Sequence, residues 1–293
     1  MAVNLSAAAS FMATHARLLD RRRFELLSGE PNADAVLAAV DGYRNPDGGY
    51  GWGLEPDLRA PESQPGGALH AFEVFEETGP TPHAALLCDW LASVSTPDGG
   101  LPFALPVADP AGCAPFWVQA DPAVATLQST AFATGVALRV ARTDQAVREH
   151  PWLAAATEYC FREIRALTEA PHAIALSFAV GAVDAAHDFH AEAAPLLDRL
   201  AAYVSPDGLV PVAGGSDGET LRALDFAPLP DRPARALFKD AVIDAELQRL
   251  ADGQQDDGGW RVDYASYSPA AELEWRGYAT VRAVSILQRN GVL

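Results

Sequence analysis

Three cysteines in a chain of 293 residues leave little scope for covalent cross-linking. Cys88, Cys113 and Cys160 stand far apart, their number is odd, and no Cys-x-x-Cys pair occurs. That pattern argues against a disulfide framework and points to the reduced thiols of a cytoplasm. Long apolar runs are also missing. No stretch reaches about 18 uninterrupted apolar residues, so no transmembrane segment is expected. The start does not read as a secretory leader: the apolar run Ala7–Met12 is short, and Arg17, Asp20, Arg21, Arg22 and Arg23 follow on an amphipathic helix. Basic charge is scarce. Lys and Arg together number 21 against 39 Asp and Glu, a formal net charge of −18. A field of that sign argues against nucleic acid and anionic membrane as partners.

What the chain does have is a repeated turn. Asn45-Pro46-Asp47-Gly48-Gly49-Tyr50, Thr96-Pro97-Asp98-Gly99-Gly100-Leu101, Ser205-Pro206-Asp207-Gly208-Leu209 and Gln255-Asp256-Asp257-Gly258-Gly259-Trp260 each follow a helical run rich in Ala and Leu. Pro cannot continue a helix, Asp accepts backbone N–H bonds, and Gly takes positive φ. Asp47 and Asp98 are 51 positions apart, Asp207 and Asp257 are 50 apart, and 109 positions, about two periods, separate Asp98 from Asp207. A period of roughly 50 signals stacked supersecondary units. No alternating strand pattern fills the period, so the expected unit is a helical hairpin, with five to six fitting in the chain. With 49% apolar residues, one domain spanning 1–293 is expected.

Gln254-x-x-x-Gly258-x-Trp260 resembles the Gln-Trp repeat motif of squalene-hopene cyclases and related triterpene cyclases. The Asp-Gly-Gly-aromatic turns are similar to those of protein prenyltransferase β subunits. The resemblance implies an all-α fold, an α/α toroid in which inner helices ring a central cavity and outer helices wrap them. It says more about fold than activity, because one fold hosts many functions. The Asp-x-Asp-Asp acid motif of triterpene cyclases is absent here, and Glu55-x-Asp57 stands in only loosely. The Asp-rich magnesium motifs of ionisation-started cyclases are absent too. Prenyltransferases hold zinc with Asp, Cys and His, but no Asp-x-Cys pair occurs, and Cys88-Asp89 has the wrong order. Neither a metal nor another cofactor is therefore expected.

Residues 5–27 and 33–43 read as helices, followed by a Pro-punctuated loop into a helix over 64–78. Gly66 and Gly67 early in that helix suggest close approach of a ligand or another backbone. Residues 82–95 form the next helix. The stretch 101–121 is long and irregular, as binding loops and lids often are. Asp121-Pro122 reads as a capped helix start, with a nearly all-apolar inner helix running to about Arg142. Residues 151–168 read as outer, 172–183 as inner and 189–203 as outer. A second irregular insertion spans 209–231. Helices over 232–251 and 269–289 complete the chain.

The densest chemistry is Glu55-Pro56-Asp57-Leu58-Arg59 with Glu62. Carboxylates beside one cation can have split pKa values, which yields an acid and a base from one site. Glu55, Asp57 and Glu62 are the candidate catalytic acids; a capped helix start with a surface salt bridge is the plainer reading. The candidate binding residues are Arg59, His70, Glu73, Phe116, Trp117, Asp225, Phe226, Glu274, Trp275, Arg276 and Tyr278. Glu272 and Arg276 are spaced to pair on one face. His70 and Glu73, one turn apart, suit proton transfer or a satisfied buried histidine. Asp184, His187, Asp188 and His190 have ligand-like spacing at a helix junction, where capping explains them as well. Aromatic faces can stabilise carbocations, though core packing accounts for most such rings.

Two functions remain in view. One is a terpene-cyclase-like enzyme, an isomerase or lyase, acting by acid–base chemistry on an apolar or partly apolar small molecule, with loops 101–121 and 209–231 over the cavity. The other is a non-catalytic toroid that binds or scaffolds.

Overall fold

The structure is a computed structural model and describes residues 3–293. It is dominantly helical. In chain order the helices are α1 (Leu5–His15), α2 (Leu18–Leu27), α3 (Ala33–Asp41), α4 (Pro65–Thr78), α5 (Pro82–Val94), α6 (Pro115–Val118), α7 (Leu127–Val140), α8 (Gln145–Arg148), α9 (Pro151–Ala166), α10 (Ala173–Ala186), α11 (Ala193–Ala201), α12 (Ala223–Phe226), α13 (Asp240–Asp252) and α14 (Pro269–Arg289). The named strands among the described residues are β1 (Val210–Pro211) and β2 (Thr220–Leu221), an antiparallel pair. None of the described helices is long and apolar enough to cross a membrane.

The chain packs as two compact units: Val40–Tyr203, and a second made from both ends, residues up to Ala39 with Val204–Leu293. In the central unit α4, α7 and α10 lie side by side, backed by α5, α9 and α11. Sequence explains the layers. Every α7 residue from Ser129 to Val140 is buried except Arg139, and α10 buries Ala, Leu and Val around its circumference. α9 instead buries one stripe, from Trp152 to Ile164. In the unit of both ends, α2 packs on α14, with α1 touching both and α13 against α14.

Three of the repeated turns share one hydrogen-bond pattern. Asn45, Thr96 and Gln255 each donate an N–H to the carbonyl of the second Gly, at 2.9, 2.9 and 2.8 Å. Asp47 and Asp257 accept from the second-Gly N–H at 2.9 and 3.1 Å. The first Gly of the last turn, Gly258, has φ +94°, and a Cβ there would collide with the carbonyl of Ala7 in α1. The equivalent positions Gly48 and Gly99 press on Leu86 in α5 and Ala155 in α9. The turn glycines therefore provide both a left-handed conformation and contact with a helix backbone.

Some boundaries differ from those expected. Residues 5–27 form two helices, because Ala16 and Arg17 are extended. The break lets Arg17 reach the buried Asp20 at 2.7 Å, and Arg21 donates to the freed carbonyl of Ala16. Asp121-Pro122 forms a turn, with Asp121 accepting from Ala123 N–H. α7 begins instead at Leu127, after Thr126, whose side chain caps Ser129, while Leu101 is tied to Thr126, Ser129 and Thr130. The segment before α13 is a 3₁₀ turn at Pro233–Leu237. The insertion 209–231 holds the β1–β2 hairpin and α12.

Candidate functional site

The proline-punctuated loop before α4 is tied down along its length. Trp52 N–H donates to Ala60 O at 2.8 Å, and Asn45 accepts from the Trp52 indole while donating to Pro61 O and Ser63 Oγ. The Gln64 amide makes paired bonds with the backbone of Leu105 at 2.8 and 3.1 Å. Ala114 N–H donates to Asp57 O, and Ala108 N–H to Glu62 Oε1. Leu58, Ala60, Ala104, Ala114 and Trp117 form one apolar cluster beneath. The irregular stretch 101–121 is thus laced to residues 57–64.

That lacing buries Glu55 against α4. Its Oε1 accepts from the Asp57 N–H at 3.1 Å. Its Oε2 lies 3.1 Å from His70 Nε2, and His70 Nδ1 lies 3.1 Å from Glu73 Oε2. His70 is 4% exposed. Burial of the ring opposes its charge, but the hydrogen bonds to Glu55 and Glu73 outweigh it, and the pKa is pushed up from 6.5 to about 9. At neutral pH His70 is an imidazolium that donates from both nitrogens to two carboxylates. A Cβ at Gly66 would meet Glu55 and Trp117 only at ordinary contact distance. Gly67 lets α4 press on the carbonyl of Tyr50, so the close approach expected at this glycine pair involves another backbone.

Further along, Glu76 bonds Arg139 of α7 at 2.8 Å. Burial of Arg139 works against its charge, but Glu76, then Glu73 and Asp184, raise its pKa above the ordinary value. The sequence reading did not single out this pair. Its signal was Arg139 as the one charged residue in α7, near the end of the helix.

The sequence candidates fall into two groups. Glu55, Asp57, Arg59, Glu62, His70, Glu73, Phe116 and Trp117 lie in the central unit. Asp57 is buried, the Arg59 side chain runs beside Gly53 and Gly112, and Glu62 keeps a buried second oxygen without a partner. Trp117 stacks on Phe103 at 4.3 Å and 10°, and its indole N–H has no acceptor.

The remaining candidates belong to the unit of both ends. Asp225 accepts from Arg222 N–H and pairs with Arg282 at 2.9 Å. Phe226 is core, packed near Phe238. Trp275 meets Tyr264 and Tyr278 edge to face, Arg23 lies over Tyr278, and Glu274 is half-buried. Arg276 does not pair with Glu272. It bonds Asp257 at 2.7 Å and covers the Phe11 ring, holding the last turn to α14.

Asp184 is buried, Asp188 pairs with Arg142, and His187 and His190 are exposed. Among the described residues, no group of three or more His, Cys, Asp or Glu side chains could hold a metal ion. No protein family matches the chain, and no curated protein matches it.

Proposed function

We propose that the protein is a small-molecule enzyme with a single α/α-toroid domain of the squalene-cyclase-like kind, acting by acid–base chemistry on an apolar or partly apolar substrate. The toroid reading rests on the turns. The last Asp-Gly-Gly turn docks on α1 as the first two dock on α5 and α9, so one turn-on-helix contact recurs from the first repeats to the last. The observation carrying the chemical reading is the buried Glu55–His70–Glu73 array. It holds a proton at neutral pH on a ring bonded to a carboxylate, which is what a general acid needs. Glu55 and His70 are the acid pair, Glu73 orients the ring, and Asp57 steadies Glu55 through its N–H. Trp117 brings its ring edge to Gly66, beside the Glu55 side chain.

A second reading is a binding toroid without chemistry. It is favoured by the saturation of both His70 nitrogens within the protein. Organic extraction and mass spectrometry of the purified protein test the substrate class, with farnesol, geranylgeraniol and squalene as added probes. A retained terpenoid-sized molecule, or tight binding of a probe, is expected. A protein that emerges empty and binds none of the three contradicts the proposed substrate class. Conversion of a bound probe that is lost in Glu55→Gln separates enzyme from binder.

A further inference from the structure

Two depressions on the central unit adjoin at Phe103 and Thr126, which line both, and together make a bipartite groove. Their volumes are about 410 and 350 Å³, within the range of small-molecule sites. Phe103 is half-buried, with one face stacked on Trp117. Its remaining surface lines both depressions, and Phe116 borders the second, 45% exposed. Leu167, Pro171 and Ala175 give the first an apolar wall.

The charge of the groove has one sign. Its charged lining residues are Glu163 and Asp121, and no Lys, Arg or His lines either depression among the described residues. Glu163 Oε1 accepts from Arg162 at 3.2 Å, but Arg162 is shared with Asp98 at 2.9 Å. The other Glu163 oxygen takes no protein hydrogen bond. Asp121 likewise uses one oxygen, for Ala123 N–H. The first turns of α7 and α10 border the groove, and a helix start favours anions, carrying about half a positive charge. Both ends are already capped, by Thr126 and His172. Two carboxylates with free oxygens beside an aromatic platform therefore decide the preference.

We propose that this groove binds a protonated amine carried on a flat apolar body, the ring stacked on Phe103 and the ammonium on Glu163, with Asp121 adding to the negative field of the groove. This inference goes beyond the acid–base reading and does not depend on it.

Tryptamine, indole-3-ethanol and indole-3-acetate, titrated calorimetrically into the full chain, test the assignment. They share a ring and differ in head charge. Tryptamine should bind best and indole-3-acetate worst. Glu163→Gln, a surface change, should weaken tryptamine roughly fivefold, the scale of one exposed ion pair. Phe103→Ala should weaken all three probes, with circular dichroism confirming that it folds. Glu55→Gln and His70→Gln should bind tryptamine as wild type does, which separates failure here from failure of the proposed catalysis. Indole-3-acetate binding as tightly as tryptamine overturns the proposal. So does an unchanged tryptamine affinity in Glu163→Gln, or no binding of tryptamine at millimolar concentration.

Discussion

Asn4 and Gln254 are joined by reciprocal hydrogen bonds. Asn4 N–H donates to Gln254 Oε1 at 2.8 Å, and Gln254 Nε2 donates to Asn4 O at 2.9 Å. The same amide donates to Gly258 O at 2.9 Å, so one side chain fastens the last turn to the start of α1. The Gln of the repeat motif acts as a staple between parts of the chain 250 positions apart.

Gly258→Val should be strongly destabilising, by more than about 3 kcal/mol, because it combines an unfavourable φ with a collision against the Ala7 carbonyl. Gly218 has φ +76° and open space around it, so Gly218→Ala should cost only about 1–2 kcal/mol, the price of the left-handed backbone alone. Thermal melts of both variants check this. Equal losses would mean that the contact with α1 carries no weight.

Thr280→Val keeps the shape of a fully buried side chain. It removes the oxygen that accepts from Trp260 N–H at 3.1 Å. The orphaned donor should cost about 1–3 kcal/mol. A wild-type denaturation midpoint would show that Trp260 finds another acceptor.

Trp52 is the one non-glycine residue with positive φ, 56°, among those described, and it is 58% exposed. Trp52→Gly and Trp52→Ala both remove the indole bond to Asn45, but only Gly is free of the left-handed penalty. Trp52→Gly should be the more stable by about 1 kcal/mol. The reverse order in chemical denaturation would contradict the conformation assigned to this loop.

The helical architecture was legible in the sequence because its signals are local. Pro, Asp and Gly mark the turns, and the apolarity of residues 172–183 separated α10 from the amphipathic α9. Helix starts were harder to read. Asp121-Pro122 carries the ordinary signature of a cap, but Leu101, brought in from the preceding turn, uses Thr126 and Ser129 and moves the start of α7 to Leu127. The spacing of His70 and Glu73 was visible along the helix. The contact between His70 and Glu55 depends on a loop folding back over 15 positions, and Arg139 meets Glu76 across 63. No periodicity announces such pairs.

The His70 array makes stability depend on pH. Its folded pKa, about 9, lies above the ordinary 6.5. The stabilisation is therefore fully present below about 6.5 and lost as pH rises through about 9. The melting temperature of the wild type should fall between neutral pH and about pH 10 more steeply than that of His70→Gln. Parallel curves would show that the imidazolium contributes nothing to the fold.

The most direct measurement is the titration of His70 itself by ¹⁵N and ¹H NMR of the imidazole, assigned by comparison with His70→Gln. The ring should remain an imidazolium at neutral pH, with both nitrogens protonated, and titrate near 9. Glu55→Gln should lower that midpoint by removing one of its two carboxylate partners. A ring that is neutral at pH 7 and titrates at or below 6.5 would contradict the acid assigned to this site.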